Sequence, residues 1–335
     1  MSEVLQKFLV TFLAASLLLP AVAFADELVI YSARKEHLIQ PLVDAYAYET
    51  GTKISFVTDK AGPLLQRLKA EGKNTRADLL ITVDAGNLWH AANEGVLQQV
   101  KSTTLEQNIP AHLRDPEGFW FGLSERARTI VYSTERVKPA ELSSYEALGD
   151  KKWQKRLLLR TSKKVYNQSL VAMLIAQQGE AQTEQIVRSW VENLATSPFS
   201  NDTKLMEAIL AGQGDAGIVN TYYFGRLQKK NPSLKLALFW PNQESGGVHV
   251  NVSGAGVTRH ARNPQGAIKF LEWLSSQKAQ SLFADANMEY PVNPNVKPHA
   301  LVAAWGDFKP STQNLSGAGK LQSSAIMLMD RAGYR

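Results

Sequence analysis

The sequence predicts an α/β protein built as two doubly wound domains joined by a hinge. Three observations carry this: strand and helix signals alternate from 27 to 83, a second alternation starts near Arg128, and no low-complexity linker divides them. Strands that cross between the domains more than once would account for the missing linker.

The first alternation opens with the apolar strand Leu28-Val29-Ile30-Tyr31. Leu38, Leu42 and Tyr46 then recur at helical spacing and stop at Gly51, a residue suited to a left-handed helix end. Ile54-Ser55-Phe56-Val57 reads as the next strand, Pro63 to Leu68 as a short helix closed by Gly72, and Asp78 to Val83 as a buried strand. This βαβαβ order means a largely parallel sheet with helices on both faces.

The second alternation takes strands at Thr129 to Tyr132, Leu157 to Leu159 and Ala216 to Val219. Helices are predicted at Asn167 to Gln178, at Thr183 to Leu194, at Asp202 to Ala211 before Gly212, and at Tyr222 to Lys230. After the glycine-rich Ser245-Gly246-Gly247, His249 to Val257 reads as a strand crossing back. Helices at Pro264 to Ser275 and Gln277 to Ala286 return to the first domain, and Lys320 to Tyr334 packs on the second. The expected domains are therefore 26–126 with 250–300, and 127–249 with 301–335.

The apolar run Phe8 to Leu19, followed by Pro20 and Ala23-Phe24-Ala25, reads as a secretory signal with its cleavage site, so residues 1–25 are set aside from the fold. Its leading segment carries only Lys7 and the amino terminus against Glu3, which keeps an apolar first helix as the competing reading. No later run has membrane-spanning length, so the mature chain is expected to be soluble and exported. It has no cysteine to form disulfides and, at 335 residues, enough length for two cores.

The net charge of +6 is scattered along the chain. Neither Lys151-Lys152 nor Lys163-Lys164 extends into the basic, aromatic-interleaved patch that nucleic acid requires. No Walker loop, GxSxG elbow or GxGxxG motif follows a strand, so an enzyme is not expected.

Doubly wound sheets bind ligands beyond the carboxyl ends of their strands. Four loops lie there: Ser32 to His37, Asp84 to Asn87, Lys163 to Asn167 and Asn220 to Tyr223. Side chains of neighbouring residues in a helix's first turn diverge by about 100°, which still lets one cation reach both Tyr222 and Tyr223. A tyrosine pair alone is more often packing. Thr221 is a candidate N-cap, and a helix N-terminus favours phenolate. Phenolates are hard donors suited to Fe(III), and their ordinary pKa near 10 demands a strong Lewis acid to displace the proton. Asp84 and Asn87 read as a turn and helix cap.

The segments YSARKEHLIQPL, TDKAGPLLQRLKAEG, ADLLITVDAGNLW, NIPAHLRDP, VYNQSLVA, NTYYFGRL, VNVSGAGVTRHA and YPVNP together resemble the periplasmic ferric-iron-binding proteins, over most of the chain after the signal. The resemblance implies a type II solute-binding architecture: two α/β domains that close on Fe(III) and pass it to an inner-membrane ABC permease. By motif it implies Tyr166, Tyr222 and Tyr223 as ligands. Where some relatives have a histidine or further tyrosine, this chain has Arg34, Lys35 and Glu36, with His37 after them. A three-tyrosine site completed by a small anion such as carbonate is therefore expected, with Arg34 and Arg126 as anion partners and Glu36 or His37 as an open fourth ligand. Arg126 and Arg128, two apart in extended backbone, share a face. A monomer taking up free or chelated ferric iron is expected. The alternative within binding proteins is a carrier of another small ligand such as an anion or thiamine.

Overall fold

The computed structural model describes residues 27–335; the predicted signal lies outside the described residues. The first alternation forms β1 (Glu27–Ser32), α1 (Glu36–Thr50), β2 (Lys53–Thr58), α2 (Ala61–Glu71), β3 (Leu79–Val83) and α3 (Ala85–Asn93), followed by α4 (Thr103–Asn108). Gly51 ends α1 with φ 70° and donates its N–H to the carbonyl of Ala47, as a left-handed terminator does. A long β4 (Phe121–Ser133) then leads to β5 (Leu157–Leu158), α5 (Val165–Gln178), α6 (Glu180–Glu192), α7 (Asp202–Leu210), β6 (Ala216–Asn220), α8 (Thr221–Lys230) and β7 (Leu236–Phe239). The chain finishes with β8 (Val250–Val257), α9 (Pro264–Leu274), α10 (Gln277–Asn287), α11 (Ala300–Ala303), α12 (Ser316–Lys320) and α13 (Gln322–Arg331). Among the described residues no helix is long and apolar enough to cross a membrane.

The strands form one sheet in the order β2-β1-β3-β8-β4-β6-β5, with β7 also paired to β4. The outer strands β2, β1 and β3 run parallel, and so do β5 and β6. The middle corrects the expectation of a largely parallel sheet: β8 is antiparallel to both β3 and β4, and β4 is antiparallel to β6 and β7. The physical reason is the crossover, because a strand that carries the chain back runs against the strand that carried it over. β8 can lie this close only as glycine at 254, where a Cβ would come within 2.4 Å of the Phe121 carbonyl oxygen.

The strand β4 belongs to both halves of the sheet. Phe121 to Ala127 pair with β8, while Arg128 to Tyr132 pair with β6. One buried apolar cluster gathers β1, β3, β8 and the helices around them; it includes Ala127 and reaches Phe283 and Val292. Beyond it, alternate residues feed two clusters on opposite faces. Ile130, Leu157 and Ile218 pack against α5, α6 and α13, while Val131, Leu158 and Val219 pack against α7 and Phe224 of α8. The structure thereby places the carboxyl ends of β1, β3 and β6 and the start of α5 around one cleft.

Two local expectations shift. Asn220, not Thr221, takes the N-cap position of α8, and the buried Thr221 hydroxyl has no partner among the described residues. The helix predicted from Asn167 begins at Val165, which moves Tyr166 from a loop into the first turn of α5.

Candidate functional site

Tyr166 is the second residue of α5, and Tyr222 and Tyr223 are the second and third residues of α8. Both first turns present backbone N–H groups without partners inside the helix, so the partial positive charge of two helix ends meets at the tyrosines. The Tyr222 and Tyr223 rings lie 4.5 Å apart between centroids, inclined by 34°. The three line one cleft of about 350 Å³ with Arg34, Lys35 and Arg126.

Cations crowd these rings. The guanidiniums of Arg126 and Arg160 stand 5.4 and 5.3 Å from the Tyr166 centroid, and Arg160 also lies 5.7 Å from that of Tyr223. Arg226 covers Tyr222 and Tyr223 at 5.2 and 5.8 Å. Burial pushes the Tyr166 hydroxyl up from its ordinary value, with Arg126 pulling the other way. Burial, followed by its tyrosine neighbours, raises Tyr222 well above the ordinary value. Without a metal these two phenols hold their protons, and a cation that displaces them must be a strong Lewis acid. Among the described residues no group of three or more histidines and carboxylates could hold a metal instead.

Arg34 and Arg126, predicted to hold an anion, both line the cleft and are both buried. Each is already half engaged. Arg34 Nη2 donates to Glu289 at 2.9 Å and Nη1 to the Ser124 hydroxyl at 3.1 Å, while its Nε has no partner among the described residues. Arg126 Nη2 faces Asp84 at 3.4 Å, and its Nη1 is likewise unpartnered.

Residues 74–305 match the family described as bacterial extracellular solute-binding protein. The chain belongs to this family. Iron uptake protein A1 of Synechocystis is 44% identical over 316 residues, covering 92% of this chain and 88% of its own. The FutA (IdiA) structure of Trichodesmium in complex with iron and citrate superposes with a TM-score of 0.89 at 43% identity, covering 92% of this chain and all of that one. The open ferric iron-binding protein A of Mannheimia haemolytica has a TM-score of 0.88 at 35% identity, covering 92% and 99%. The fold is accordingly that of the type II periplasmic binding proteins, a mixed α/β sheet with helices on both sides.

For a solute-binding protein the wall facing the tyrosines is informative. Glu36 and His37 begin α1 as exposed residues and do not line the cleft, whereas Ala33, Arg34 and Lys35 from the same loop do. Asp84 caps α3 as expected, accepting from the Gly86 N–H at 3.0 Å. It does more, taking hydrogen bonds from the Ser169 hydroxyl at 2.6 Å and Asn251 Nδ2 at 3.1 Å. Ser169 lies on α5, three residues beyond Tyr166, so the cap of α3 tethers the helix that carries the tyrosine.

Sequence reasoning missed the charged layer behind the tyrosines. Arg128 donates from Nε to Asn167 at 3.0 Å and from Nη1 to Asn220 at 3.1 Å and Asp202 at 3.3 Å. Arg160 faces the other oxygen of Asp202 at 3.2 Å. Tyr334, near the C-terminus, donates to the Arg160 carbonyl at 2.6 Å and accepts from Asn167 at 2.7 Å. The sequence signals for this layer were Arg128, two residues after Arg126 on one face of a strand, and the asparagines beside the tyrosines.

Proposed function

We propose that this chain is the periplasmic Fe(III)-binding component of an ABC importer. It captures the ion through the phenolates of Tyr166, Tyr222 and Tyr223 and presents it to an inner-membrane permease. The observation that carries the reading is the convergence of three tyrosines at two helix N-termini, beneath arginines, in one cleft. Phenols, ordinarily protonated at neutral pH, bind hard, highly charged cations strong enough to displace the proton, and Fe(III) is the cation that agrees both with this chemistry and with the relatives' names. The unpartnered Arg34 Nε and Arg126 Nη1 are offered to a small anion such as carbonate that completes the coordination.

Capture proceeds by closure of two domains, 26–126 with 250–300 and 127–249 with 301–335, with no chemistry performed on the ion. The chain works as a monomer, exported by a signal at 1–25 that is removed. Its binding step uses neither nucleic acid nor enzymatic turnover.

The decisive experiment is the visible spectrum and metal content of protein purified from the periplasm, before and after a chelator. A phenolate-to-iron absorption that the chelator removes is expected. Colourless, iron-free protein that stays colourless with ferric salts would overturn the reading. It would leave the competing one, a carrier of a small anion, which the cationic lining of the cleft favours.

A further inference from the structure

We infer that iron reaches this chain as an anionic ferric polycarboxylate, whose free carboxylates dock in a basic basin between α7 and α8 beside the tyrosines. The inference rests on the ferric reading above and adds to it the charge class of the substrate and a docking surface separate from Arg34 and Arg126.

The basin is a second cavity, of about 480 Å³, lined by Lys35, Lys204, Tyr223, Arg226 and Lys230 with Glu207 as its carboxylate. It shares Lys35, Tyr223 and Arg226 with the tyrosine cleft, so a molecule in one reaches the other. Among the described residues none of its four cations has an ion-pair partner. With four cations against the single carboxylate of Glu207, the lining is net positive.

The tyrosine cleft adds Lys60 and Lys164 to the same side of the balance. Its other two cations, Arg34 and Arg126, are matched by Glu289 and Asp84. An incoming bare trication therefore meets tyrosines surrounded by uncompensated positive charge, and like charges within a Debye length of about 8 Å repel it. A chelate of net negative charge is drawn to the same place, because clefts lined by one sign of charge raise the local concentration of the opposite sign. The cavity also has the size of a small-molecule site, where pockets run from about 300 Å³ upward. With its iron at Tyr223, such a chelate would lay its uncoordinated carboxylates toward Lys204 and Lys230 and leave them there as the phenolates take the metal.

The test uses the mature chain and the double variant Lys204→Glu with Lys230→Glu, which touches no tyrosine. Calorimetry of metal-free citrate with the iron-free protein should show binding that weakens about tenfold in the variant, or in the wild type when salt is raised to about 0.5 M. Equal affinity in both proteins would overturn the basin. In stopped-flow loading, the variant should take iron from ferric citrate about fivefold more slowly than the wild type. It should match the wild type with the neutral tris(acetohydroxamato)iron(III) and reach the same final spectrum. Equal rates from ferric citrate, or equal slowing from both sources, would also overturn the inference. A wild type that colours with neither source would sink the ferric reading itself, and the calorimetry would still decide whether the basin takes polycarboxylates.

Discussion

Asn167 and Asn220 are held by the same guanidinium: Arg128 donates to the side-chain oxygens of both, at 3.0 and 3.1 Å. Asn167 follows Tyr166 and Asn220 stands two residues before Tyr222, so one buried arginine sets the spacing between the helix starts that carry the tyrosines. Arg128→Lys keeps the charge and loses the fork. It should weaken ferric binding about tenfold and shift the phenolate-to-iron absorption, while circular dichroism stays that of the wild type. Arg128→Met, which leaves Asp202 with Arg160 alone, should cost about 3 kcal/mol of stability by urea unfolding. An unshifted spectrum in Arg128→Lys would show that the arginine supports the fold without placing the ligands.

Tyr166→Phe, Tyr222→Phe and Tyr223→Phe each remove a donor oxygen and keep the ring. Each should reduce visible absorption and ferric affinity, and the triple variant should be folded, colourless and unable to take iron from citrate. Tyr48, 93% exposed on α1, and Tyr46, buried in that helix against Phe270, are controls whose Phe variants should bind iron as the wild type does. Wild-type spectra in the three single variants and the triple would refute the ligand assignment.

Closure should be visible in solution. The tyrosines start α5 and α8, which pack on opposite faces of the second half of the sheet, while Arg34 follows β1 in the first cluster, so an ion and its anion join them only across the cleft. Small-angle scattering should show a smaller radius of gyration on ferric titration. A radius unchanged through saturation would remove the trap while leaving binding intact.

Stability should fall as pH drops from about 6.5 toward 3, with His249 as one source. Burial, and after it Arg128 and Arg126, depresses this imidazole to about 3, against about 6.5 in an unfolded chain. The unfolded state then binds the proton first, so the stabilisation is complete above 6.5 and lost on acidification, by at most about 1.4 kcal/mol per pH unit. Glu125 works in the opposite sense: burial raises it to about 7, so its contribution is full below about 4.5 and lost as pH rises through 7. Denaturant unfolding of His249→Gln at pH 7 and 4 should show a smaller difference than the wild type. An identical difference would assign the acid lability elsewhere.

The parts of this molecule that follow from neighbouring residues could be read in the sequence. The β1-α1-β2 order, Gly51 as a terminator and Tyr222-Tyr223 at a strand end all depend on local periodicity. The direction of β8 did not, because it is set by where the chain must return to. The arginine layer was equally hidden: Arg34 meets Glu289 from 255 residues away and Arg128 meets Asp202 from 74, and no local pattern marks a charge for burial. Lys35 facing the cleft while Glu36 and His37 face solvent depends on the turn into α1, which pattern alone does not orient.

The strand β4 carries Glu125, Arg126 and Arg128 within four consecutive positions, at the place where its pairing passes from β8 to β6. Two arginines on one face of a single strand therefore hang from different halves of the sheet. Arg126, on the part paired with β8, lies against the ring of Tyr166, while Arg128, on the part paired with β6, holds the asparagines beside the tyrosines. A twist applied at this junction would be felt between Arg126 and Tyr166, which stand on opposite sides of it, before it reached Arg128 and its asparagines, which stand on the same side.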